Sequence, residues 1–249
     1  MRLSILLAAT AALALSAAGC SQAAPGPKAA SAPSAGAAAG DQIRAYILAH
    51  PEVIEEAIGK LQEKRQAAAD TQLQQTLAAN RAKIERDPRD YVAGNPQGKI
   101  TVVEYFDYRC PYCKAALPGI NKLIADNKDV RFVFKEFPIL SPISETAARA
   151  AIAAKAQGKY MQVHEDLLAE KTLDAASIDR ILRDNGVDVA KAHAYGAAQP
   201  VSDQLLETNT IARATGVNGT PAFVIGDKVV AGWVPEDIQA GIDAARKKG

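Results

Sequence analysis

Cysteine is scarce in this chain. Three in 249 residues are too few to staple a disulfide scaffold. Neither sign of charge is in excess, with 29 Lys+Arg against 28 Asp+Glu. That balance excludes a nucleic-acid binder working by bulk charge, and no basic cluster restores the option. Long apolar runs are missing beyond the N-terminus, so no later segment spans a bilayer as a helix. Aromatic residues are few, and the single Trp and all seven Tyr lie after position 40. Of 51 Ala, 18 fall in the first 50 positions, so the early chain is apolar without forming a core. What remains is long enough for one or two domains with a real core.

The first forty residues read as address and tether. Arg2 supplies a short positive region, Leu3 to Ala18 an apolar stretch, and Ala17, Ala18 and Gly19 a small-residue end. This is the anatomy of a secretory signal peptide, predicted over 1–19. Gly19-Cys20 resembles a bacterial lipobox, although Ala17 stands where Leu is usual. Cys20 is therefore the candidate for acylation, and otherwise an odd thiol in an oxidising compartment. Residues 20–40 are predicted to be a flexible tether, because Ala, Gly, Pro and Ser bury too little surface to repay ordering.

Residues 41–86 are predicted to form a helical stalk. Pro51 suits the first position of its second helix. Ile54, Ile58 and Leu61 recur at helical spacing, followed by Leu73, Leu77 and Ile84. Two readings stand: an amphipathic helix docked on its own domain, or an oligomerising helix with Ile47, Ile54 and Leu61 spaced by seven. The heptad register ends after Leu61. Asp87-Pro88 to Gly94-Asn95-Pro96 reads as a breaker-rich loop.

The chemistry-bearing signal follows. Residues 99–106 are β-branched and aromatic and predict a buried strand. Cys110-Pro111-Tyr112-Cys113 then opens a helix. A thiol there meets free N–H groups and the positive end of the helix dipole, which favour a thiolate. Cys110 is expected to be the exposed nucleophile, with Cys113 one turn on to resolve a mixed disulfide. A structural disulfide between them would close too small a ring to stabilise much chain. A zinc site needs about four ligands, and His50, His164 and His193 have no ligand spacing. Each His is expected to be an ordinary surface or packing residue.

Glu104 shares a strand face with Val102 and Phe106. Burial there would raise its pKa and suit it to exchange a proton with Cys113. The alternative is a Glu reaching solvent past a sheet edge. Thr220-Pro221 heads a predicted hairpin, residues 222–231. Its Pro is either an edge feature or half of a cis bond, which sequence alone does not decide.

"VVEYFDYRCPYCK" and "GTPAFVIG", separated by helical sequence, resemble the DsbA family over about residues 95–249. The resemblance implies an α/β thioredoxin fold over 87–249 with a helical insertion at about 140–216. It also implies a cysteine pair at Cys110 and Cys113, with Pro111 and Tyr112 between them, a buried acid at Glu104, and a substrate-facing cis-proline at Thr220-Pro221. "IRAYILAHPEVIEEAIGKL" resembles the N-terminal stalk of the suppressor-of-copper-sensitivity C group, some of whose members are trimeric isomerases. Tyr112 departs from the His of the strong oxidase, and Thr220 is more like the isomerases. The implied function is an exported, periplasmic oxidoreductase, lipid-anchored at Cys20, that forms or isomerises disulfides in unfolded or misfolded exported proteins. No organic cofactor is implied, since the Cys110–Cys113 disulfide carries two electrons. The implied partners are those clients, a membrane redox protein that resets the site, and a homo-oligomer, most simply a trimer, through 41–86. Two rivals remain: a soft-metal, copper-handling protein using the same cysteines, and an anchored scaffold with incidental thiols.

Overall fold

The computed structural model describes residues 35–248. The expected signal peptide, Cys20 and the tether as far as residue 34 lie outside them. The chain divides into two units, one up to Gly59 and one from Lys60 onward.

The first unit holds α1 (Ala35–Ala49) and the opening turns of α2 (Glu52–Glu85). α1 starts ahead of the expected Asp41 and runs through the Ala-rich end of the expected tether, where the strongest helix former outweighs the glycines. The helix stops before Pro51, since a residue preceding proline is pushed out of the helical region. α2 opens with Glu52 and Glu55 in its first turn, where acidic groups suit the dipole. Ile43, Tyr46, Leu48, Ile54 and Ile58 all carry exposed side chains.

The second unit is built on a five-stranded sheet of order β1-β3-β2-β4-β5. Its strands are β1 (Tyr91–Gly94), β2 (Ile100–Phe106), β3 (Val130–Glu136), β4 (Ala222–Ile225) and β5 (Lys228–Ala231). β2 and β3 run parallel, linked by α3 (Pro111–Asp126), and the other pairings are antiparallel. β2 and β3 are buried along their whole length, so the charged residues they carry, Glu104, Arg131, Lys135 and Glu136, are buried with them. Between β3 and β4 lie α4 (Pro142–Ala156), α5 (Tyr160–Ala169), α6 (Ala175–Asp184), α7 (Val189–Gly196) and α8 (Gln199–Ala214); α9 (Pro235–Lys248) ends the unit.

The two-residue period of the strands separates two cores. Val102, Phe106, Phe132, Phe134, Phe223 and Ile225 cluster with α3, α9 and the inserted helices. Val103, Tyr105, Val133 and Val224 cluster with Leu77 and Ile84 of α2 and with Ile211 and Ala212 of α8. A stalk extending to residue 86 is therefore corrected: α2 from Lys60 belongs to the thioredoxin unit. Its last carbonyls are held by cations from β3. Lys135 Nζ donates to the Lys83 carbonyl at 2.5 Å, and the Arg131 guanidinium donates to that of Glu85. Lys135 also pairs with Asp90 at 2.5 Å, both side chains being buried. β1, which edges the sheet, occupies the segment expected to be loop.

Candidate active site

Cys110 is the N-cap of α3, with an extended backbone and Pro111 opening the helix behind it. The missing N–H of proline costs nothing there. The turn into the helix is held by Asp107. Its Oδ1 accepts from the Arg109 N–H at 2.7 Å, and its Oδ2 accepts from the Ile139 and Leu140 N–H groups at 2.8 and 3.0 Å. One buried carboxylate thus ties the β2–α3 loop to the loop after β3.

Both Cys110 and Cys113 are free thiols. The Cys110 Sγ donates to the Thr220 carbonyl at 3.1 Å, and the Thr220-Pro221 bond is cis. Cys110 is only 3% exposed, which corrects the expectation of an exposed nucleophile: the thiol is turned onto the Thr220 loop. Cys113 is buried deeper, and burial, with the charge of Glu104, pushes its thiol far above the ordinary range. Glu104 is 2% exposed, and burial pushes its carboxyl up to about 8. It sits opposite Phe223 of β4 in the sheet. Two neighbouring buried groups, the Glu104 carboxyl and the Cys113 thiol, therefore each hold a proton at neutral pH. Pro221 is buried, and the Thr220 hydroxyl is buried without a hydrogen-bond partner among the described residues. Tyr112 is 73% exposed and stands on the rim.

Sequence reasoning missed a second buried polar cluster on the same sheet face. Glu136 Oε1 accepts from the Tyr108 hydroxyl at 3.0 Å and the Tyr160 hydroxyl at 2.7 Å. The Tyr108 hydroxyl also meets His164 Nδ1 at 3.1 Å. Burial raises the Glu136 carboxyl to about 8 against the pull of its two hydroxyl donors, and holds His164 neutral, down to about 3. With Tyr108 donating to Glu136, the His164 Nδ1–H is the donor to Tyr108. The cluster joins α5 to the loop that carries Cys110. Its signal was present: Glu136 has the strand parity of Phe132 and Phe134. Asp107 too was readable as an acid placed between strand and turn. Among the described residues, no three His, Cys, Asp or Glu side chains are placed to hold a metal ion.

A parallel β2–α3–β3 unit continued by an antiparallel β4–β5 hairpin, with two thiols opening α3 against a cis-proline loop, defines a thioredoxin fold carrying a dithiol site. The chain belongs to the DSBA-like thioredoxin domain family of thiol–disulfide oxidoreductases, which matches residues 101–241. Residues 37–68 match the N-terminal domain of the copper resistance protein ScsC. A thioredoxin-like oxidoreductase from Silicibacter pomeroyi DSS-3 is 39% identical, with a TM-score of 0.65 over 68% of this chain and 98% of that one. Proteus mirabilis ScsC in a transitional conformation is 28% identical, with a TM-score of 0.65 over 86% of this chain and 99% of that one. The Na(+)/H(+) antiporter NhaA 3 of Salinispora tropica is 33% identical over 146 residues, 57% of this chain but only 22% of the antiporter.

Proposed function

We propose that this chain is an exported thiol–disulfide exchange enzyme that forms or isomerises disulfides in extracytoplasmic proteins through Cys110-Pro111-Tyr112-Cys113. The observation that carries the reading is Cys110 at the N-cap position of α3, its thiol bonded to the Thr220 carbonyl, with Cys113 and Glu104 both buried. The Cys110 thiolate attacks one sulfur of a client disulfide. A Cys110–client bond forms, the client S–S bond breaks, and one client thiolate leaves. Cys113 then gives its proton to Glu104 in its ionised form, and the Cys113 thiolate attacks the Cys110 sulfur of the mixed disulfide. The second client thiolate leaves, and the pair is oxidised as the client gains two electrons. The reverse sequence oxidises a client dithiol. Isomerisation stops at the mixed disulfide, when another client thiol displaces Cys110 with no net electron transfer. A bound client strand would lie along the Thr220-Pro221 loop. No organic cofactor is required, and a membrane redox partner would return the pair to its working state.

The test is Cys113→Ser. Without the resolving thiol, Cys110-linked adducts with exported proteins should accumulate on diagonal gels; their absence would sink the exchange reading. Copper handling is the second reading, favoured by the match of residues 37–68. Stoichiometric copper in the freshly purified reduced protein would support it.

Export and anchoring rest on the 1–19 segment and Cys20. The mature protein should begin at an acylated Cys20 by intact mass and partition into detergent, and a soluble form starting further on would remove the lipid but not the export. Oligomerisation is proposed through the exposed Ile43, Ile54, Ile58 and Leu61, because several sites facing one client raise the effective concentration of thiols for shuffling. Light scattering paired with reactivation of scrambled substrate tests it, and a monomer would favour a simple oxidase.

A further inference from the structure

Beside the thiol pair runs an open groove of about 810 Å³ between the start of α3 and the α5–α6 connection. Pro111 and Leu173 give it apolar walls, and Arg109, Lys114 and Lys171 bring three cations to it. Its one acid, Glu170, is already engaged. The Glu170 carboxylate pairs with Arg180 and accepts from the Thr172 N–H. Lys114 is half-buried, and its ammonium donates to the backbone carbonyl of Glu170; it feels the Glu170 charge, which Arg180 also claims, and the opposing charge of Arg109. Arg109 and Lys171 are exposed and form no ion pair among the described residues. The chain as a whole carries only +1, so a groove with three cations and one spoken-for carboxylate is a local excess at the mouth of the site.

We propose that this groove seats an acidic stretch of the client polypeptide next to the cysteine under attack, so that Arg109, Lys114 and Lys171 select clients by the charge flanking their disulfides. The inference rests on the thiol-exchange reading. A carboxylate entering the groove gives Arg109 and Lys171 the ion pair they lack among the described residues and adds to the one anion, Glu170, that Lys114 shares with Arg180. The aliphatic part of the same segment lies on Pro111 and Leu173. Arg109 directly precedes Cys110, so a side chain in the groove belongs to a residue close to the reacting client cysteine. Attraction across an open groove is screened by salt and acts mainly on the rate of encounter.

The test uses the full-length reduced protein and two short peptides. Each has one cysteine blocked as a thiopyridyl disulfide, flanked by Asp in one and by Lys in the other. Release of thiopyridone follows attack by Cys110, and the same reagent without a peptide measures the thiol's own reactivity. The Asp peptide should react faster by on the order of tenfold at low salt, with the ratio collapsing at high salt. Lys171→Glu, an exposed substitution remote from the fold's core, should bring the ratio near one. Arg109→Ser should lower it after correction for the peptide-free rate. Equal rates for the two peptides, or a preference unchanged in both variants, would overturn the proposal. Reaction with neither peptide would overturn the exchange reading itself.

Discussion

Glu104 sets the pH behaviour of the site from a single position. Its carboxyl titrates near 8 in the fold against an ordinary 4.5, so the folded state holds its proton more tightly than the unfolded chain. The native state then binds more protons than the unfolded state across that window, and stability falls as pH rises from about 4.5 to 8. The full cost on ionisation is roughly 5 kcal/mol as an upper bound. Glu104→Gln should therefore match wild type in urea unfolding at pH 4.5 and exceed it at pH 8, while slowing disulfide exchange at neutral pH. Equal stability at both values would mean that Glu104 is solvated. Asp107 offers a contrast. It holds three backbone N–H groups, and Asp107→Ala should cost about 2 kcal/mol and loosen the Cys110 loop, read as faster hydrogen exchange at Ile139 and Leu140. The pattern around Cys110 and Cys113 made both thiols legible, and the parity of β2 placed Glu104. The covering of Cys110 was not legible, because the carbonyl that receives its S–H belongs to Thr220 and no local pattern reports so distant a contact.

At the level of elements, α3 carries the most constraint. It runs through Pro118, giving up one intrahelical bond at the Lys114 carbonyl. At Gly119 the helix presses on the Trp233 ring, where a Cβ would overlap the indole. Gly119→Ala should destabilise by roughly 1–3 kcal/mol, measured by thermal unfolding with Trp233 as the probe. This outcome opposes the usual gain of alanine over glycine inside a helix. β2 was readable from its β-branched and aromatic run, the start of α3 from the cysteine motif, and the β4–β5 hairpin from its turn, while the helical insertion came with the resemblance. β1 was hidden because Tyr91–Gly94 is four residues among Pro, Gly and Asn, and α7 because Val189–Gly196 makes barely two turns. The end of the stalk was misread for another reason. Leu73, Leu77 and Ile84 continue the helical spacing of Ile54 and Ile58, and spacing does not say what a stripe packs against.

For the whole molecule, the position of α2 decides where the chain can be cut. Removing residues 41–59 should leave the unit from Lys60 onward as stable as before, within about 0.5 kcal/mol. A cut through residue 86 takes Leu77 and Ile84 out of the core and should cost upwards of roughly 4 kcal/mol. Urea midpoints of the two truncations separate these outcomes, and equal midpoints would show that α2 contributes nothing to the core. The insertion of α4 to α8 has a consequence in time as well as in space. The bond from Cys110 to the Thr220 carbonyl joins positions 110 apart in sequence. Chains are made from the N-terminus at about 5–20 residues per second, so roughly 5 to 20 s of synthesis separate the two halves of the site. Throughout that interval the cysteines have emerged and the loop that covers them has not. An enzyme proposed to mend other proteins' thiols begins its own life with its reactive sulfur uncovered.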